Sequence, residues 1–233
     1  MKNTFKKTVL SGAVLQGIVL ASLALSGSAM AYEKGDFIVR GGFTNVSPND
    51  DASNIFAGGS DLGVSVNVDS NTQIGLNLAY FVTDYVNIEV LAATPFKHDV
   101  NFSVADPLGT GNQLGEVKHL PPSVTANYYF MDSSSAFQPY IGAGLNFTIF
   151  FDEKFTNANK TAGLTDLDLD NSFGLTAQLG ADYKIDEKWH LNASVRYIDI
   201  DTEASFKVGD ADGYVSDIQI DPTVITVSLG YTF

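Results

Sequence analysis

The stretch NTQIGLNLAYFVTDYVNIEVLAATP, residues 71–95, holds two runs of alternating side chains on either side of a tight turn. In the first run Ile74, Leu76, Leu78, Tyr80 and Val82 alternate with Gln73, Gly75, Asn77, Ala79 and Phe81. Thr83, Asp84 and Tyr85 make the turn, and Val86, Ile88, Val90 and Ala92 then alternate with Asn87, Glu89, Leu91 and Ala93. A period of two is the signature of a strand with one apolar face, because successive side chains of an extended chain point to opposite sides. Two such runs joined by a short turn predict an antiparallel hairpin.

The same pattern continues in both directions. Ile141 to Phe151 and Phe173 to Tyr183 alternate apolar side chains with Gly, Asn, Thr, Ser and Gln; after Asp186, Glu187 and Lys188, the run from Trp189 to Tyr197 keeps the phase. A last run sets Ile225, Val227, Leu229, Tyr231 and Phe233 against Val224, Thr226, Ser228, Gly230 and Thr232. A first strand near Asp36–Val46 and one near Gly115–Phe130, interrupted by Pro121 and Pro122, bring the number to eight. An even number lets a barrel close with both termini on one side. Connections alternate in length: Thr83–Tyr85, Met131–Ala136 and Asp186–Lys188 are short, and those near 47–70, 97–114, 152–170 and 207–215 are mostly longer. Short periplasmic turns and longer extracellular loops are the arrangement of outer-membrane barrels. Aromatic residues near strand ends, among them Tyr80, Tyr85, Tyr128, Phe130, Phe137, Trp189, Tyr231 and Phe233, suit girdles at the membrane–water boundaries. The expected fold is therefore all-β, an eight-stranded antiparallel transmembrane β-barrel. Phe233 closes the last strand as an interfacial anchor and, as in this class of proteins, an assembly signal for the barrel-assembly machinery.

The ends of the chain and its composition agree with export. Lys2, Lys6 and Lys7 precede an apolar run from Val9 to Leu25, followed by small residues up to Ala31, so residues 1–31 read as a secretory signal peptide and 32–233 as one barrel domain. No later stretch is long and apolar enough for a helical span. Of 13 Lys and Arg, three lie in the signal, leaving 10 against 27 Asp and Glu, a net charge of −17. That balance argues against a nucleic-acid partner. Mean hydropathy of +0.06 beside such acidity is natural if apolar residues face lipid and acids collect in loops. With no Cys in the chain, disulfides and thiolate metal sites are excluded.

Chemistry-bearing motifs are few. His98 and His119 fall beside loops and His190 starts a strand, all three reading as ordinary surface residues; no Ser, His and Asp constellation stands out, so no enzyme is expected. The acidic runs Asp166, Asp168, Asp170 and Asp210, Asp212 do not fit a calcium loop, since Asn171 and Ala177 stand where Gly and Glu are required. No metal and no cofactor are expected, only acidic loops facing lipopolysaccharide and its bridging cations. A short helix capping the mouth is expected at Lys160–Leu167, and a flexible loop at 57–71.

Several stretches resemble the outer membrane protein W (OmpW) family: VRGG at 39–42, NTQIGLNLAYFVTD at 71–84, LAATPFKH at 91–98, HLPPS at 119–123, PYIGAGLNFTIFF at 139–151, AGLTDLDL at 162–169 and YIDIDT at 197–202. The resemblance implies an eight-stranded barrel of the bacterial outer membrane with an apolar-lined interior that passes or binds small hydrophobic molecules and releases them sideways into the membrane. It also implies that Leu91 matches a leucine that helps to close the channel, with Arg196 standing where the family has its aromatic partner.

The residues themselves give a mixed interior. Leu91, Ala93, Phe81 and Phe150 fall on inward phases, but so do Asn77, Glu89, Asn127, Gln178, Asn192 and Arg196. An inward Arg196 needs a counter-charge, and Glu89 is the candidate. Pro121 and Pro122, which cannot donate to a ladder, mark either a lateral opening in the wall or a bulge beyond the membrane. Partners expected are outer-membrane lipid, lipopolysaccharide and small hydrophobic molecules. The competing reading is a barrel whose loops act, as receptor, adhesin or structural stress-response element.

Overall fold

The computed structural model describes residues 32–233 apart from 106 and 133, so the expected signal peptide lies outside the described residues. Eight strands form the barrel: β1 (Phe37–Ser47), β2 (Asn71–Thr83), β3 (Val86–Ala93), β4 (Ser123–Tyr129), β5 (Phe137–Phe155), β6 (Ser172–Lys184), β7 (Trp189–Ile198) and β8 (Thr223–Thr232). Each is antiparallel to its neighbours in chain order, and β1 closes the cylinder against β8 through pairs running from Ile38–Thr232 to Ser47–Thr223. Closure leaves no edge strand with bare N–H and C=O groups, a necessity in hydrocarbon.

Alternation decides which way each side chain faces. Phe43, Ile74, Leu76, Leu145, Phe173, Leu179 and Val227 are exposed on the outer wall, whereas Arg40, Asn77, Glu89, Asn127, Gln178 and Arg196 are buried within. The greasy exterior and polar interior invert the usual soluble pattern, as lipid replaces water outside. At the short-turn rim Trp189 packs on Tyr231, Tyr231 on Phe233 and Phe37 on Phe233, with centroids 5.0, 4.7 and 6.2 Å apart.

Above the barrel the long connections are themselves strands. Phe96–Phe102 pairs with Gln113–Leu120, which pairs with the upper part of β5; Leu164–Leu169, Asp201–Val208 and Ala211–Gln219 form a second sheet. The single expected strand at 115–130 is thus two: Pro121 and Pro122 lack the N–H groups a ladder needs, and Gln113–Leu120 leaves the barrel while Ser123–Tyr129 remains in it. The wall is repaired at that break by Asn146, whose Nδ2 donates to the carbonyls of both prolines at 3.1 Å and to Ser123 Oγ at 3.0 Å. Phe147 N–H also donates to the Pro122 carbonyl at 3.1 Å.

Two other expectations are corrected. The short helix, α1, is Asn157–Thr161, capped by Thr156, and Gly163 at φ +99° ends it; residues expected to continue the helix form the strand Leu164–Leu169 against Asp201–Val208. The segment 57–71 carries short strands at Ser60–Asp61 and Val66–Val68, the latter paired with Phe96–Phe102.

Candidate functional site: an apolar cavity on a charged floor

Six strands send polar side chains to one level of the lumen. Arg40, on β1, donates to Glu89 Oε2 (β3) at 2.8 Å, Asp182 Oδ2 (β6) at 2.8 Å, the Tyr129 hydroxyl (β4) at 3.1 Å and His190 Nε2 (β7) at 3.1 Å. Glu89 Oε1 accepts from Arg196 at 2.7 Å, and Arg196 also donates to Gln178 Oε1 at 2.6 Å. Gln178 continues to Asn127, and Asn127 donates to Asn87 Oδ1 at 2.9 Å. Asp182 accepts from Tyr32, Tyr129 and Asn192 at 3.0, 3.0 and 2.8 Å, and Asn192 donates to Tyr140 on β5 at 3.0 Å. Two guanidiniums face two carboxylates, so the layer is neutral as well as densely bonded. Charges taken this far from water persist only when paired and hydrogen-bonded.

Small residues make room for this layer. A Cβ on Gly180 would lie 2.3 Å from the Tyr140 ring, and one on Gly230 2.1 Å from His190 Nε2. Below it, Tyr32 stacks on Phe81 at 4.7 Å, Tyr129 lies 5.2 Å from Phe81, and Lys184 Nζ sits 4.0 Å over the Tyr32 ring, filling the periplasmic mouth.

The extracellular half is the opposite in character. A cavity of about 80 Å³ is lined by Val46, Ile55, Val117, Phe150, Phe155, Phe206 and other apolar groups, with His98 and His119 in its wall. A wider vestibule of about 360 Å³ shares Ile55, Leu114, Phe155 and Phe206 with it and reaches Leu62, Pro107 and Leu108 in the outer loops. The outward faces of the same upper strands carry ion pairs, Lys97 with Glu116, Lys118 with Asp152 (2.6 Å) and Lys154 with Glu116 (2.7 Å), which puts this level above the lipid.

His98 and His119 are not surface residues: each is 4% exposed, and their Nε2 atoms lie 2.9 Å apart. Burial lowers the pKa of both, and with the His98 charge it takes His119 down to about 3. His190 is likewise buried, in the floor.

The other expected site residues separate by height. Phe150 lines the cavity, and Ala93 packs against the apolar cluster around it. Leu91 is buried one inward position above Glu89, paired across the sheet with Asn77 and Ser123. Glu89 and Arg196 meet as the floor, and Phe81 lies beneath that floor with Tyr32 rather than in the cavity. Period two gives its inward direction but not its level. Sequence reasoning passed over Arg40, the centre of the floor, although VRGG had been singled out; Asp182 and the buried histidines were missed as well. Asp199, Asp201 and Asp221 bring carboxylate oxygens within 4.8 Å of one another at the rim, but Asp221 already accepts from the Tyr197 hydroxyl at 2.7 Å and Ile200 N–H at 3.1 Å.

A closed eight-stranded barrel with a lipid-facing exterior, short turns at one end and strand-built loops at the other defines a small outer-membrane β-barrel protein of bacteria. Residues 33–233 match the OmpW family profile, and the chain belongs to that family. It is 47% identical to outer membrane protein W of Vibrio cholerae serotype O1 over 92% of this chain and 96% of that one. The crystal structure of the outer membrane protein OprG from Pseudomonas aeruginosa superposes with a TM-score of 0.82 at 39% identity, covering 88% of this chain and 99% of that one. A more distant relative, 25% identical over 86% of this chain and 90% of its own, is the dibenzothiophene metabolism operon protein PahQ of Pseudomonas aeruginosa.

Proposed function

We propose that this barrel takes up small hydrophobic molecules from the outer face, holding them in the apolar cavity and releasing them sideways into the membrane. The observation that carries the reading is the contrast in the lumen: the vestibule and cavity walls are almost wholly apolar, while the floor beneath is closed by Arg40, Glu89, Asp182 and Arg196. An apolar molecule gains by leaving water for the cavity, roughly 25 cal/mol per Å² buried, and loses if it must displace buried ion pairs. The exit is therefore lateral, and the Pro121–Pro122 break is where the wall is weakest, since neither proline has an N–H to give the ladder and the join to β5 rests on Phe147 N–H and the Asn146 side chain. The name of PahQ, which ties that relative to the metabolism of an apolar aromatic compound, supports the same direction.

A second reading, loops acting as receptor or adhesin, is favoured by the ordered outer sheet of Asp201–Gln219. Uptake of a slim apolar fluorophore by lipid vesicles containing the protein separates the two. Wild type should accelerate uptake, and Phe150→Arg and Leu91→Arg should abolish the acceleration; equal rates in all three leave the loop reading standing.

A further inference from the structure

The vestibule and the cavity meet at a neck. Ile55, Leu114, Phe155 and Phe206 line both spaces, all four buried, and the Phe155 and Phe206 rings pack edge to face with centroids 5.7 Å apart. They come from separate parts of the chain: Ile55 from the connection between β1 and β2, Leu114 from Gln113–Leu120, Phe155 from the end of β5 and Phe206 from Asp201–Val208. At the other end of the vestibule Leu62 and Leu108 are about half exposed, each set among Gly and Asp, so the outer mouth is lipped by apolar side chains in otherwise polar loops.

The two sides of the neck are held differently. Thr156 N–H donates to the Leu114 carbonyl at 3.1 Å, and Asn159 Nδ2, from α1, donates to the carbonyls of Gln113 and Leu114 at 2.9 Å each, which ties Leu114 and Phe155 into one corner. The strand that carries Phe206 pairs with Leu164–Leu169 and Ala211–Gln219, both of them above the barrel. A Cβ on Gly213, the cross-strand partner of Phe206, would lie 2.3 Å from its ring, so the ring rests against bare backbone. Segments bonded mainly to other loops open at the lowest free-energy cost, so Phe206 is the side that gives.

Size separates the two spaces. An apolar cavity of about 150 Å³ holds a benzene. The cavity below the neck, about 80 Å³, is smaller than that, and the vestibule above it, about 360 Å³, is more than twice as large.

We propose that the vestibule is the first binding site, taking hydrocarbons of one or two rings, and that Phe206 is the specificity-determining residue whose ring must turn aside before they enter the cavity. This deepens the uptake reading above and rests on it. Binding above the neck gains the free energy of apolar burial, whereas passage must part the Phe155–Phe206 contact and widen the cavity. Affinity and rate of uptake are thus set by different residues.

The test follows naphthalene with the full barrel in nanodiscs, its Ile, Leu and Val methyls labelled, and measures naphthalene uptake by vesicles containing the protein. In wild type, nuclear Overhauser contacts should reach the methyls of Leu62, Leu108 and Leu164 but not those of Val46 and Val117 below the neck. Those wild-type contacts decide the vestibule assignment with no substitution to disturb folding. Phe206→Ala should extend the contacts to Val46 and Val117 and speed uptake by roughly three- to tenfold, as when a gate sets the rate, with Phe206→Leu in between. If wild type does not speed uptake over protein-free vesicles, the uptake reading itself is overturned. If it does, but its naphthalene already contacts Val46 and Val117, or Phe206→Ala changes neither contacts nor rate, the neck assignment alone is overturned.

Discussion

Arg40 and Asp182 lie 2.8 Å apart on opposite walls of the barrel, with neither side chain exposed. Removing the guanidinium leaves Asp182 to neutral donors and takes one of the two cations from Glu89. Arg40→Met should lower the stability of the barrel by about 3–5 kcal/mol, the usual cost of leaving a buried charge uncompensated. Urea unfolding in lipid vesicles, followed by the shift in gel mobility, reads this directly, and Arg40→Met/Asp182→Asn should recover much of the loss. Unchanged unfolding of the single variant would show that the floor contributes nothing to stability.

Asn146 repairs the wall beside Pro121 and Pro122. Asn146→Leu keeps the volume but takes one donor from each proline carbonyl, leaving Pro121 to the Ser123 hydroxyl at 3.3 Å and Pro122 to Phe147 N–H at 3.1 Å, a loss of about 0.5–1.5 kcal/mol per hydrogen bond that should be local. Amide exchange at Phe147 should speed up while Ile141, lower on the same strand, keeps its protection. Uniform change along β5 would argue against a local seam.

At the extracellular rim, partial burial and then the charges of Asp199, Asp221 and Asp217 push the Asp201 carboxyl above the ordinary carboxylate range. A carboxyl whose folded pKa is raised stabilises the fold below its unfolded value and loses that contribution as pH rises through the folded one. The hairpin Asp201–Gln219 should therefore exchange its amides more slowly at pH 4 than at pH 7, after correction for intrinsic rates. Asp201→Asn should flatten that difference.

Phe233 is exposed at the lower rim, where its N–H donates to the Phe37 carbonyl at 2.9 Å and its ring meets Phe37 and Tyr231. Aromatic pairs contribute about 0.5–1.5 kcal/mol beyond area burial. Phe233→Ala should slow spontaneous folding into vesicles, and Phe233→Trp should restore the rate. If the defect grows when purified assembly machinery is added, Phe233 is also read by that machinery.

The barrel was legible in the sequence because its signal is local: each strand writes its own alternation, and Ile74 to Val82 could be assigned to the outside without knowing any neighbour. The Glu89–Arg196 pair was within reach for the same reason, two charges on inward phases that needed each other. Arg40 was not, since its partners Glu89, Asp182 and His190 stand 49, 142 and 150 positions away and meet it only after closure. Height was also hidden. Phe81 and Phe150 share an inward phase, yet one lies below the floor and the other above it. His98 and His119 looked like loop residues because nothing in their neighbourhood announces that the loops fold back over the lumen.

The layer of Arg40, Glu89, Asp182 and Arg196 has a consequence for the cell. An ion or polar antibiotic descending the lumen would have to part charges that are already paired and buried, so this layer opposes its passage. The pairs that bind the walls to one another are thereby also a barrier to charge.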